Sequence, residues 1–203
     1  VKQLVIHLQD ISDIDKVLFA ILTCVTAGVA IGFSRAYLLL FDYKNNLKAE
    51  LAVGPVSQED AYRIWNELSA LNKTLDDYIE DYKSNISLSK EKHKAILEKL
   101  QFNYDDITHL LKKFFRDRKT VIIENYGRND KFFNKISNII DSPLFIAAPL
   151  ISSNKPIGLI IADNKYSNRP ITKENLETLN LFATHAAQSI ALANTYKLLQ
   201  TQQ

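Results

Sequence analysis

The 203-residue chain has a single cysteine, no methionine, one tryptophan, five glycines and five prolines. A lone Cys24 excludes an intrachain disulfide, an all-cysteine metal site and any thiol cycle that needs a resolving partner. A reducing, cytoplasmic setting is therefore expected. The glycines are scattered singly, so there is no glycine-rich loop to cradle a phosphate. His7, His93, His109 and His185 form no His-x-x-x-His, Glu-x-x-His or Cys-His group, and each is expected to be exposed or to serve packing. No apolar run reaches the roughly 20 residues a membrane helix needs. Basic and acidic residues number 25 and 23, for a net charge of +2, too even a balance to imply a nucleic-acid or anionic-membrane partner. The start at Val1, without methionine, is read as a segment of a longer protein.

What is present is ample apolar content, 46% of residues, enough for a substantial core. Leu4, Leu8, Ile11, Ile14, Leu18, Ile21, Val25 and Val29 recur at helical spacing over residues 4–29. Ser12 and Asp15 have capping-box spacing, which divides this stretch into a linker helix over 1–12 and a longer helix, ended by Gly28 and Gly32. SRAYLLLFDY (34–43) has the look of a strand buried on both faces. Asn45-Asn46 turns the chain into LKAELAVG (47–54), whose alternation puts Leu47, Ala49, Leu51 and Val53 on one side. Pro55 and Ser57 open a helical insertion over 57–115 in which no strand is expected; Ser57 and Asp60 again have capping-box spacing. Strands return at TVIIE (120–124), PLFIAAPLIS (143–152) and PIGLIIADN (156–164), the last two joined by Ser152–Lys155. Thr172 caps a final helix with Leu176, Leu179, Ala183, Ala186, Ile190, Ala193 and Tyr196 as its apolar stripe. Hairpin-linked strands between terminal helices indicate an α+β fold with an antiparallel sheet, within the broad α/β class.

The stretches GFSRAYLLLFD, LKAELAVGPVSQEDAYRIWNELS and FIAAPLISSNKPIGLIIADNKYSNRPITKENLETLNLFATHAAQSIALAN resemble a GAF domain of bacterial multidomain signalling proteins. The resemblance covers most of the chain and is most specific at APLISSNKPIGLIIADN and LFATHAAQSIALAN. It implies one domain over 1–203, with an antiparallel sheet of about six strands between packed, commonly dimerising terminal helices. It also implies a regulatory sensory role, of the sensor histidine kinase type, with residues 190–203 as an exit helix toward an output domain. A ligand-free dimerisation module, or the GAF domain of a diguanylate cyclase or transcriptional regulator, are the alternatives. No chemistry of its own is expected of this segment.

The resemblance leaves the ligand open. Cyclic-nucleotide GAF domains carry Asn-Lys, then Phe, then Asp-Glu; Asn164-Lys165 matches, but Ile171 stands at the Phe position and Asn175-Leu176 at the acidic pair. Bilin attachment needs a cysteine near the pocket, whereas Cys24 has the phase of a small core residue on the first helix. A related free methionine-sulfoxide reductase needs several cysteines. The cofactor is thus unknown, with cyclic nucleotide and bilin disfavoured and no metal expected.

Asp76-Asp77, Glu80-Asp81 and Asp105-Asp106 supply carboxylates, but adjacent helical residues diverge, and the first four are read as dressing a solvated helix. The basic run Lys112, Lys113, Arg116, Arg118 and Lys119 is read as a helix end. A small-molecule pocket is expected between sheet and insertion, with Tyr62, Trp65, Tyr126, Phe145 and Asp163 as candidate lining residues. Leu4, Leu8, Ala186, Ile190, Ala193, Tyr196 and Leu199 are the candidate dimer or signalling stripe of a homodimer.

Overall fold

A computed structural model describes residues 13–27, 31–70, 75–103, 106, 108–124 and 130–200. The linker helix 1–12 with Leu4 and Leu8, and the candidate Tyr126, lie outside the described residues.

The first helix, α1 (Ile14–Thr26), is buried at every residue from Val17 to Val25, because it is covered on several sides. Its cap is Asp13, whose Oδ1 accepts the Asp15 amide at 2.9 Å, one residue past the expected Ser12. The other Asp13 oxygen accepts the Tyr82 hydroxyl at 2.6 Å, tying the insertion to the start of α1.

Strands β1 (Arg35–Phe41) and β2 (Leu47–Val53) form the expected hairpin, with Asn45 in the left-handed conformation at φ 60°. The simple alternation expected of β2 does not hold. The pairing shifts between Leu38 and Leu39, so Glu50 bulges out to solvent. Leu47, Ala49 and Ala52 then face one side of the sheet and Leu51 and Val53 the other.

The insertion holds α2 (Gln58–Ala70), α3 (Leu75–Glu80), α4 (Tyr82–Lys92) and α5 (Lys94–Lys99), then α6 (His109–Asp117). Ser57 caps α2 as its spacing implies: its Oγ accepts the Asp60 amide, and Asp60 Oδ2 accepts the Val56 amide. The expectation of no strand here is corrected by β3 (Gln101–Phe102), which pairs with Leu47 and Lys48. Two residues are too few to show a period of two, and only β2 beside them makes them a strand.

After β4 (Val121–Ile123) comes α7 (Lys131–Ile140), then β5 (Phe145–Ser152), β6 (Lys155–Asp163) and the 28-residue α8 (Lys173–Gln200). Thr172 caps α8 reciprocally with Asn175: each backbone amide donates to the other's side-chain oxygen.

The six-stranded sheet has the order β3-β2-β1-β6-β5-β4, with every pairing antiparallel. One face packs on α1 and α8 through Leu38, Leu51, Ile146, Ile160 and Ala162. The other carries Tyr37, Leu39, Phe145 and Ile161 under α5, α6 and α7. Gly158 pairs with Leu40 of β1, and a Cβ there would lie 2.1 Å from the Leu39 carbonyl oxygen. Among the described residues no helix is long and apolar enough to cross a membrane.

Candidate functional site

Arg35 opens β1 and faces Asp163, which closes β6. Two charges in a stretch otherwise buried must satisfy each other. Arg35 Nε donates to both carboxylate oxygens at 3.0 and 3.1 Å, and Nη2 donates to Oδ2 at 2.7 Å. Both side chains are nearly inaccessible, at 3% and 0%. Nη2 also donates to the Ile140 carbonyl at 2.9 Å, placing a cation at the negative end of α7. The guanidinium lies 5.6 Å from the Tyr37 ring centre and 5.2 Å from that of Tyr166. Burial opposes its charge, but the hydrogen bond and charge of Asp163, together with Tyr37 and Tyr166, outweigh it and hold the guanidinium above its ordinary pKa.

Tyr37 stands two residues along β1 on the same face, wholly buried, and its hydroxyl has no hydrogen-bond partner among the described residues. Burial raises its pKa far above the ordinary value. Asp163 Oδ1 also accepts the Lys165 amide at 3.0 Å, which begins the link to α8.

That link is clamped on three sides. Asn164 Oδ1 accepts the Ser34 amide at 3.1 Å, and the Ser34 and Ser167 hydroxyls meet at 2.8 Å. The Tyr166 hydroxyl donates to the Val56 carbonyl at 2.7 Å, reaching the start of the insertion. Lys165 Nζ lies 2.5 Å from Asp141, whose carboxyl it holds below the ordinary range. Asn164 and Lys165 are therefore engaged in joining β6, α7 and α8, and Asn175 is the capping partner of Thr172. The residues of the partial cyclic-nucleotide pattern all have structural partners.

Phe145 and Asp163 lie on this same side of the sheet. Phe145 is fully buried with its ring 6.5 Å from that of Phe133, in a chain of contacts through Phe132, Phe102 and Phe114. Edge-to-face and tilted rings at these separations fill the space between sheet and helices. Tyr62 is exposed on α2, and Trp65 lies on α2 with its side chain outside the described residues. Of the lining candidates whose side chains are described, Phe145 and Asp163 share this side of the sheet and Tyr62 is exposed on α2.

On α8, Ala186, Ile190 and Ala193 are buried within the chain's own core against α1 and the sheet. Tyr196 and Leu199 are exposed, together with Leu181, Leu192 and Leu198. Cys24 is buried on α1 and its thiol is pushed up to about 12 by burial, consistent with a packing residue.

His93, between α4 and α5, is buried. Its Nδ1 lies 2.9 Å from the Ser89 carbonyl oxygen, a contact that requires the proton on Nδ1. Burial pushes its pKa below the ordinary value, and the nearby Lys92 and Arg35 charges act in the same direction. The Ser89 hydroxyl donates to the Ala52 carbonyl, which fixes α4 on β2. Among the described residues no group of three or more His, Cys, Asp or Glu side chains could hold a metal ion.

Sequence reading missed Arg35, Tyr37 and Tyr166; the buried His93 falls under the packing role expected of the histidines. One signal was available for Arg35: an arginine in the apolar run RAYLLLF has to find an anion, and Asp163 ends another apolar strand.

A six-stranded antiparallel sheet with terminal helices on one face and inserted helices on the other defines a GAF-like fold. The GAF domain profile matches residues 20–191, and the chain belongs to that family. It is similar in structure to a methyl-accepting chemotaxis protein segment, residues 122 to 287, at 18% identity and TM-score 0.61, covering 95% of this chain and 98% of that one. A GAF domain/HD domain protein from Geobacter sulfurreducens aligns at 15% identity and TM-score 0.55, over 93% and 98%. The phycocyanobilin-bound GAF domain of a cyanobacterial phytochrome aligns at 13% identity and TM-score 0.62, over 96% and 93%. These likenesses concern the fold. No curated protein sequence matches.

Proposed function

We propose that this GAF domain is a regulatory sensory module of a signal-transduction protein, in which binding at the domain is relayed through its terminal helices to an output domain. The observation that carries this reading is α8. Its first part packs on β5 and α1, while Leu192, Tyr196, Leu198 and Leu199 near its end are exposed. Residues that need covering beyond the core suit a second helix, most simply that of a second copy. Chemotaxis-protein and phytochrome neighbours use the same fold, which supports a signalling role. The finer reading, a cytoplasmic sensor histidine kinase, rests on the sequence resemblance. Enzymatic activity, on this reading, belongs to the output domain.

The test is sedimentation equilibrium of the domain and of L192E and L199E. We expect a dimer that each substitution weakens at least about tenfold, since a charge replaces a leucine that the second copy would cover. A monomer at all accessible concentrations would refute the relay through paired helices. A ligand-free dimerisation module is the second reading, favoured by the aromatic filling around Phe145. It requires that no small molecule raise the melting temperature.

A further inference from the structure

We propose that a groove on the outer side of α7 binds a compact multivalent anion, a phosphate- or polycarboxylate-bearing small molecule. The groove is a shallow, solvent-open depression of about 550 Å³ lined by Lys99, Lys131, Asn134, Lys135, Asn138 and Ile139. That volume lies within the range of a few hundred to roughly 1,000 Å³ usual for small-ligand sites.

The spacing along α7 places Lys131, Lys135 and Asn138 on one helical face, and Lys99 comes from the end of α5. Cations from two elements thus border one groove, and no carboxylate lines it. Lys99 and Lys131 enter no ion pair among the described residues. Lys135 is held in place, 4.8 Å from the Phe102 ring centre and 3.7 Å from Asp106.

Lys131 is also placed against its own helix. It is the first residue of α7, where the dipole favours an acid, and the first turn contains none. Asp130 already caps the helix, accepting the Phe132 and Phe133 amides at 3.0 and 3.1 Å, so the lysine side chains would carry recognition. A bound anion would offset the repulsion among Lys99, Lys131 and Lys135, of which only Lys135 has a carboxylate within ion-pair distance among the described residues, Asp106 at 3.7 Å. Ile139 and the lysine stems give the ligand's organic part an apolar floor. No exposed aromatic lines the groove to stack a base, and the cations border a pocket instead of a track, which favours a compact anion over a nucleic-acid strand.

Calorimetric titration of the 203-residue chain with inorganic pyrophosphate, and separately with citrate, tests this. We expect saturable one-to-one binding to at least one of them, weakened about five- to tenfold by each of K99Q, K131Q and K135Q. The relative affinity of the two probes tells phosphate from carboxylate preference. K155Q, at the exposed start of β6, should bind as the parent does. Unchanged melting temperatures and amide shifts confined to Lys131–Ile139 and the end of α5 would locate the site. Failure of both anions to saturate by about 10 mM, equal weakening by K155Q, or binding of an acidic peptide alone would overturn the proposal. None of these outcomes depends on dimerisation through α8.

Discussion

The carboxylate of Asp163 and the guanidinium of Arg35 stand directly opposite each other on neighbouring strands, sealed from water, with the Ile140 carbonyl as the arginine's other acceptor. The pair therefore joins the two central strands to the end of α7, and through Lys165 to the link that enters α8. Removing Asp163 alone leaves a buried, uncompensated cation. D163A should destabilise the domain by about 3–5 kcal/mol in urea titrations, while the apolar pair R35M/D163L should recover much of the loss. A cost for D163A below about 1 kcal/mol would show that the charge is solvated in solution.

Y37F removes a buried hydroxyl that has no partner among the described residues and leaves the ring in place. It should be neutral or raise stability by up to about 1 kcal/mol, read as the melting midpoint. A loss larger than that would reveal an ordered water or ligand on the hydroxyl.

His93 makes stability depend on pH. Its folded pKa lies below the ordinary value of 6.5, so the unfolded chain binds the proton more readily. The contribution is complete above about 6.5 and is lost as pH falls through the folded pKa. Denaturation midpoints measured across this window should fall with acidification, and H93L should flatten the slope. The Ser89 carbonyl keeps its bond from the residue 93 amide in that variant.

G158A places a methyl group 2.1 Å from the Leu39 carbonyl oxygen, against backbone that cannot yield without unpairing β1 from β6. A loss of about 3 kcal/mol is expected in chemical denaturation. Fast amide hydrogen exchange at Leu39 and Leu40 would identify the cause. Unchanged exchange would show that the sheet absorbs the methyl group.

Much of the frame was legible because it is periodic. RAYLLLF, FIAAPLIS and the stripe of α8 show their elements without neighbours, and the caps at Ser57 and Thr172 rest on spacing alone. The Glu50 bulge was hidden, since Leu47, Ala49, Leu51 and Val53 alternate correctly on paper. Only pairing with β1 moves the last two to the other face. Likewise β3 exists through its partner, and Gln101-Phe102 has no strand signature of its own.

For the site the division follows sequence distance. Local chemistry in the chain determined that no cysteine pair, phosphate loop or helical His pair could operate, and that Asn164-Lys165 lacked the rest of a cyclic-nucleotide pattern. Tertiary structure decided that Asp163 belongs to Arg35, 128 positions away. It also decided that Ala186, Ile190 and Ala193 are core residues and that Lys99 shares a groove with Lys131 and Lys135. Periodicity shows which side of an element turns inward, but not what lies against it; that is set by strand order and helix docking, which bring together residues with no regular spacing in the chain.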